Sequence, residues 1–555
     1  MSIAMKPRIA IVGAGMAGLS AANRLIEAGR TSDGSSPFDL VVVEASNRAG
    51  GRICSAEFHG ENVESGATWI HGIEGSPIYA IANQIGAMDR GGKPWEFMDG
   101  YPSDIPVIAE GGLTVPPSVV NPMVSYYRQL LSMVQTHFKN DISLADGVEQ
   151  TKVKELTRGC RSLGDYLRKG LTKYLEDPDK KNQSQSPFPS TVLAELGQFS
   201  VGERNLGRPD WDLRSLREAV FCTQANLERS ITAADDLDNV DLEANMEYTE
   251  FPGMHMPIPK GFSSVVNELM NRLPVGSIMY NARVESIEWS CEGRSRAVLL
   301  KGPDIAADHV ILTVSLGVLK SCIKGCKKND VDSGKDVAEG LGFGGFQPPL
   351  PSWKVDAIRR LGFGVVDKVH MHFSSAVSDV TGIIFLFGKQ QNGVGRLGGI
   401  PWWMRKTYSL LPTHNNSRIL ASWLAGKEAI QMESLSNQEV IHGVLNTLFA
   451  FGLNPKKLSD INKDKMPVID GVLRSQWGTN PLFWGSYSYV PLGSSGDDIE
   501  QLAEPLPCPE DQCSKPLQIL FAGEATDRNY YSTTHAAFLS GVREANKLLK
   551  HYNLL

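Results

Sequence analysis

The stretch "RIAIVGAGMAGLSAANRLIEAG", residues 8–29, constrains the fold more than any other part of the chain. Ile9–Val12 form a short apolar strand, and Leu19, Ala22, Leu25 and Ile26 recur at helical spacing. Between them stand Gly13, Gly15 and Gly18 as G-x-G-x-x-G. Alone, three glycines at this spacing are a weak signal, but between a strand and a helix they are specific. They permit a tight turn and close backbone approach to a pyrophosphate, whose charge lies at the helix N-terminus. The next apolar run, "FDLVVVEA", ends in Glu44. A carboxylate there accepts a hydrogen bond from a ribose 2′-OH and disfavours a 2′-phosphate. Glu44 lies somewhat further past Gly18 than usual, and the turn "RTSDGSSP" accounts for the excess. The competing reading is a coincidental glycine-rich turn. The βαβ unit predicts an α/β class and fits NAD or FAD equally.

At 555 residues the chain is too long for a single core, so two or three domains are expected. The net charge of −7 disfavours a nucleic-acid or anionic-membrane partner and suits a cationic ligand. Eight cysteines in so long a chain make no disulfide framework. The pairs Cys322/Cys326 and Cys508/Cys513 are isolated, whereas structural zinc needs four suitably spaced ligands, so no metal site is expected. "MSIAMKP" runs straight into a strand without a secretory pattern, and no apolar run reaches the ~18 residues of a membrane span. "HYNLL" is not a peroxisomal S-K-L signal. A soluble, cytoplasmic protein is the expectation.

One strand-like segment stands out. In "LGFGVVDKVHMHF", residues 361–373, Lys368 shares a face with Val366, His370 and His372. A lysine in so apolar a strand has two readings. Either the strand is an edge with a solvated face, because lysine is seldom buried without a partner, or the lysine points into a site.

Further motifs bear on the choice. "EASNRAGGR" runs from Glu44 and Ala45 through Arg48, Gly50 and Gly51 to Arg52. "ESGATWIHG" follows, and "LQILFAGEATDRNYYSTTHAAFLSG" closes the chain with a strand, a Gly-Glu turn, a polar loop and a helix. Together these resemble the FAD-dependent amine oxidase family over nearly the whole chain. The likeness is greatest to its polyamine oxidases, in particular spermine oxidases and plant thermospermine oxidases. "PLGSSGDDIEQLAEPLP" and "LPSWKVDAIRRLGFGVVDKVHMHF" belong to the same pattern. The resemblance implies a Rossmann-type FAD-binding domain with a discontinuous α+β substrate-binding domain, the flavin amine oxidase fold. It implies that Gly13, Ala14, Gly15, Gly18, Glu44 and Ala45 hold the nucleotide half, with Gly51 and Arg52 beside its phosphates. Gly66, Ala67, Thr68 and Trp69 would lie along the flavin. Glu524, after Gly523, would hold a ribitol hydroxyl, with Thr533 and Thr534 at the isoalloxazine ring. Val284 in "MYNARVESIEW" would make a backbone contact on the adenine side, and "HVILTVSLGVLK" matches the family's next strand and turn. Trp477 would line the flavin pocket, the alternative being plain core.

On the same resemblance Lys368 is the catalytic residue, linked through a water to the flavin N5, while His370 and His372 are structural. The implied reaction is hydride transfer from a neutral amine to the flavin. The imine then hydrolyses to an aminoaldehyde and a shorter polyamine, and O2 is reduced to H2O2. A polyamine calls for apolar or aromatic walls with a few carboxylates or hydroxyls. Substrate-side candidates are His71 in "WIHG", Glu228 and Ser230 in "NLERS", Tyr487 in "WGSYSY" and Thr533. For Glu228 an exposed helix-end charge is the alternative.

The expected FAD-binding domain comprises residues 1–90, 260–345 and 465–555, and the substrate domain 91–259 and 346–464. The segments 177–189 and 327–345 are polar or Gly-rich insertions, expected as mobile loops. The expected partners are a polyamine and O2, without nucleic acid or membrane, and a monomer is expected. Two alternatives are a histone-lysine demethylase of the same superfamily and a noncatalytic FAD-bound binding protein. The first normally carries a long helical tower insertion, and no heptad run is present here. The presence of Lys368 weighs against the second. Monoamine oxidases attach their flavin to a cysteine in the late Gly-rich segment, where this chain reads "YYSTTH". The FAD is therefore expected to be noncovalent. Acid or heat should release free flavin from the yellow protein, and colour that stays with the denatured polypeptide refutes it.

Overall fold

A computed structural model describes residues 6–28, 36–89, 105–139, 147–177, 211–290, 295–299, 302–324, 344–374, 382–388, 399–414, 417–452, 469–508 and 515–555. Most of both expected insertions, and of the turn before Phe38, lies outside these residues, as do Cys326 and Cys513. The chain forms two units. One comprises 1–94, 248–363 and 477–555, and the other 95–247 and 364–476.

The first unit is built on a parallel sheet in the order Ile519–Phe521, His309–Leu312, Arg8–Val12, Asp39–Val43, Ile278–Met279. The strand before the glycine motif lies at its centre, with Ile11 level with Val42 on one side and Ile311 on the other. Parallel strands are covered on both faces, which is why "IAIV" and "VVV" read as unbroken apolar runs. Helix Met16–Ala28 begins within the glycine motif, after Gly15, and packs on helix Thr534–His551 near the chain's other end. Gly541 sets that approach, since a Cβ there would stand 2.1 Å from the Ala17 carbonyl oxygen. Ser20 Oγ donates to the Phe538 carbonyl at 2.9 Å. A smaller sheet holds Val284–Glu288, and its entry segment is tied to the second strand by Ala282 N–H donating to the Glu44 carbonyl at 2.9 Å.

Two segments expected in the substrate domain belong to this unit. Met256–Pro257 pairs with Trp69–Ile70. Helix Ser352–Arg360 is anchored by Lys354, whose side chain is fully buried. Its ammonium donates to the carbonyls of Gln501, Leu502 and Glu504 at 2.7–3.0 Å, capping helix Gly496–Ala503. The same ammonium sits 4.0 Å from the Phe521 ring centroid. Burial draws its pKa down to about 7.

The second unit has a seven-stranded sheet in the order Ile469–Arg474, Val366–Phe373, Ile419–Ala425, Ser409–Pro412, Ile383–Leu386, Val107–Ala109, Leu113–Thr114. Strand 469–474 thus belongs here rather than to the nucleotide-binding unit, because it pairs with the strand of Lys368. Helices Pro117–Phe138, Leu163–Glu176 and Leu213–Thr232 also belong to this unit. Tyr127 meets Phe221 edge-on between the first and last of them, and Tyr166 OH donates to the Leu130 carbonyl. The core includes Val369, Met371, Phe385, Leu424 and Val444, from strands and helices alike.

A buried ion pair braces this unit. Arg229 Nη2 lies 2.6 Å from Glu428 Oε2, both side chains being less than a tenth exposed. Its guanidinium also donates to the carbonyls of Asp235 and Ala425. Glu428→Ala strips the carboxylate from a buried cation, and removing one partner of such a pair costs about 3 kcal/mol. Urea unfolding of the variant against wild type measures the loss.

Candidate functional site

The two glycine motifs meet. Gly50 N–H donates to the Ala14 carbonyl at 2.9 Å, and Gly15 bridges Gly50. Their glycines do different work. At Gly18 a Cβ would collide with the Gly13 carbonyl oxygen at 1.9 Å, and at Gly66 with the Arg52 carbonyl oxygen at 1.9 Å. These two are demanded by packing. At Gly15 a Cβ meets no atom within 4 Å, and at Gly523 only the Val314 carbonyl, at 4.0 Å. Here the chain leaves space beside bare backbone, as a cradle for a dinucleotide needs.

Glu44 is buried at the end of its strand. Oε2 accepts from Ala14 N–H at 2.8 Å, and Oε1 accepts from Ser46 N–H and Oγ, both at 2.8 Å. The carboxylate thereby holds the glycine turn in shape, and Oε2 keeps a second lone pair for a ribose hydroxyl. Ala45 follows it, half-buried. Arg48, to which sequence reasoning gave no role, donates to the carbonyls of Ala49, Gly51 and Ile53 and so clamps the second glycine turn.

In the sequence Arg52 and Glu524 read separately, one as a cation near phosphate and the other as a ribitol acceptor. The structure joins them. Arg52 Nη1 donates to Glu524 Oε1 at 2.9 Å and to the Ser486 carbonyl at 2.7 Å. Glu524 Oε2 accepts from Ser488 Oγ at 2.6 Å and from Ser532 N–H at 2.9 Å. Ser488 had no signal in a single sequence, because its partner lies 36 residues away, and Ser532 had none because it acts through its backbone N–H, which any residue carries. The Gly66–Trp69 segment runs beside this pair, with Ala67 N–H donating to the Arg52 carbonyl at 3.2 Å. Thr68 and Trp69 are half-buried within it. Trp477 is buried and donates from Nε1 to the Ser65 carbonyl at 3.1 Å, so it backs this segment. Val284 is buried just past the tie to Glu44.

Thr533 is the N-cap of the last helix. Its Oγ accepts from Ala536 N–H at 3.1 Å and donates to the Tyr530 carbonyl at 2.6 Å. Thr534 opens that helix, half-buried. Tyr487 is half-buried in strand Tyr487–Tyr489. His71 follows strand Trp69–Ile70. Burial lowers its pKa, against the pull of Glu250 and with help from His255. His535, which sequence reasoning missed, is buried, and burial and the nearby His71 push it down to about 3.

In the second unit the strand of Lys368 is no edge. It is paired on one side with Ile419–Ala425 and on the other with Ile469–Arg474. The solvated-edge reading therefore fails: Lys368 is 7% exposed. Ser475 sets its backbone, Oγ accepting from Lys368 N–H at 2.8 Å and Ser475 N–H donating to the Lys368 carbonyl at 3.0 Å. Ser475 Oγ in turn donates to the buried Asp367 at 2.7 Å. The ammonium lies 5.7 Å from the Trp423 ring centroid. His370 is buried, and burial with the charge of Lys368 pushes it down to about 3, so it is neutral. His372 pairs with Asp470. Glu228 and Ser230 occupy the last turns of helix 213–232, both half-buried rather than exposed. The charge of Glu228, after burial, raises the pKa of the buried Tyr127.

The open backbone at Gly15 and Gly523, with the buried carboxylates Glu44 and Glu524 beside the two turns, fits FAD. Residues 13–18, Glu44, Arg52 and Glu524 would hold it. The glycines allow a clean test. Gly15→Ala should leave thermal stability unchanged and weaken FAD retention, since its methyl enters only the cradle. Gly18→Ala should lower the melting temperature, since its methyl strikes backbone. Thermal melts and flavin content after dialysis read the two separately, and equal behaviour of the two variants counts against the cradle.

Comparison with known proteins agrees with this geometry. Residues 16–549 match the family described as flavin containing amine oxidoreductase. The chain is 38% identical to probable polyamine oxidase 5 of Arabidopsis thaliana, over 99% of each chain. It is 39% identical to polyamine oxidase 1 of Oryza sativa subsp. japonica, over 99% of this chain and 98% of that one. To the human peroxisomal N(1)-acetyl-spermine/spermidine oxidase it is 32% identical, over 98% and 95%. With a family match across nearly its whole length and a nucleotide cradle built from both of its ends, the chain belongs to the flavin containing amine oxidoreductases, a family that implies FAD.

Proposed function

We propose that the chain is an FAD-dependent polyamine oxidase that cleaves spermine or thermospermine at a secondary-amine C–N bond. The observation that supports this most is Lys368, buried in mid-strand with its backbone held on both sides. Burying an ammonium is costly, so a lysine kept in mid-strand calls for a role. Bound FAD supplies the hydride acceptor and, with O2, the route to hydrogen peroxide. The chain's own residues supply the rest. Lys368 orients a water and moves a proton at Nζ during imine hydrolysis or flavin reoxidation. Ser475 and Asp367 keep the lysine's strand from shifting. Glu228, Ser230, Tyr487 and His71 are assigned to the substrate side, because a carboxylate, hydroxyls and an aromatic ring are the group types that suit a chain of ammonium groups. The net charge of −7 favours approach of a polycation.

Lys368→Met tests the assignment. Methionine keeps the length and the apolar stem but holds no water by hydrogen bonding, so FAD content and fold should persist. Turnover of spermine should fall at least tenfold, roughly 1.4 kcal/mol in the barrier. Stopped flow separates anaerobic flavin reduction by spermine from reoxidation by oxygen, and at least one should slow with an altered pH profile. If both rates match wild type across pH, Lys368 has no part in the chemistry.

A further inference from the structure

Next to the Gly66–Trp69 segment, the first unit carries a side-chain cluster outside the residues assigned to FAD. His71 Nδ1 and His255 Nδ1 face each other at 3.2 Å. Glu250 joins them, with Oε1 3.8 Å from His71 Nδ1 and Oε2 3.3 Å from His255 Nε2. One ligand atom from each of the three lies within 4.8 Å of the others. We propose that His71, Glu250 and His255 form a binding site for a zinc-class divalent transition-metal ion, and that the ion, by taking the His71 nitrogen, opposes polyamine binding.

The donor set is two imidazoles and a carboxylate, the combination that borderline-soft divalent ions prefer. A tetrahedral zinc with bonds of about 2.0–2.1 Å holds its donors roughly 3.3 Å apart. The separation of the two Nδ1 atoms already matches this, and Glu250 Oε1, 3.8 Å from His71 Nδ1, closes on the same nitrogen by a side-chain rotation that also takes Oε2 off His255 Nε2. Two imidazole nitrogens at hydrogen-bond distance share one proton at most, and a metal ion replaces that proton. The carboxylate is oriented from outside the cluster, as Tyr248 OH donates to Glu250 Oε1 at 3.1 Å. Such a second partner is what keeps a ligand in place. The backbone is constrained too: Gly72, next to His71, could not carry a Cβ, which would fall 1.7 Å from the Phe251 carbonyl oxygen. Residues 71 and 250 are therefore held side by side by adjacent backbone in close contact. The side chains are 36–38% exposed, so an ion reaches them from solvent. Three protein ligands leave a fourth position for water, which is the pattern of an open site.

The inhibitory part rests on the polyamine oxidase reading, through His71. The metal site does not. Calorimetric titration of zinc chloride into the chelator-treated, FAD-loaded protein should show one ion per chain. His255→Ala and Glu250→Gln, both at partly exposed positions, should each weaken binding about tenfold or more. Cobalt(II) bound in the same place should give the visible absorption of a four-coordinate ion, lost in His255→Ala. Zinc should slow spermine-dependent oxygen uptake in wild type, with the slowing relieved by added spermine or by a chelator. No zinc binding, or binding unaltered in both variants, overturns the site. Binding at these residues with oxygen uptake unchanged overturns the inhibition. An enzyme that does not turn over spermine at all defeats the polyamine reading, while the zinc and cobalt titrations still judge the site.

Discussion

The ion pair between Arg52 and Glu524 is the interaction on which the nucleotide-binding unit turns. It ties a residue from the second glycine motif to one in the turn after the last strand, with 24% and 6% of the two side chains exposed. A pair so little hydrated adds little net stability by Coulomb attraction alone, because desolvation offsets it. Its value lies in the groups around it. Ser486, Ser488 and Ser532 supply the remaining acceptor and donors, so no charge is left without a partner and each segment has one position. The Gly66–Trp69 segment, the Gly523 turn and the last helix all take their places from that arrangement.

Two buried lysines show how one residue type serves opposite ends. Lys354 spends all three ammonium protons on the carbonyls that end a helix, so it is a fastener whose chemistry is exhausted by its neighbours. Lys368 sits in the middle of a paired strand, where backbone groups are already occupied by the sheet and by Ser475. A lysine placed there is not needed to complete the secondary structure. That difference, rather than burial itself, separates the structural lysine from the one assigned to chemistry. It also explains why His370 and His372, on the same face as Lys368, read as supports: one is neutral and enclosed, and the other pairs with Asp470.

Much of the nucleotide-binding unit was legible in the sequence, because its constraints are local. A strand, three spaced glycines and a helix form a βαβ turn, and the unbroken apolar runs at residues 9–12 and 40–43 suit strands covered on both faces. Glu44 was found by its place at a strand end. The boundaries of the units were less legible. Strand 469–474 and helix 352–360 have patterns that suit either unit, and only pairing with the Lys368 strand, or capping by Lys354, assigns them.

What the sequence determined by itself was the class of the sheet, the position of the glycine cradle and the presence of a lysine in an apolar strand, since each depends on residues close together in the chain. Tertiary structure alone decided what those residues face. It turned Arg52 toward Glu524, enclosed Lys368 between two strands and brought His71 to Glu250 and His255. Each of these partners lies far away in sequence or is set by backbone approach. Strand alternation specifies which face a side chain takes, but not what the fold brings against that face.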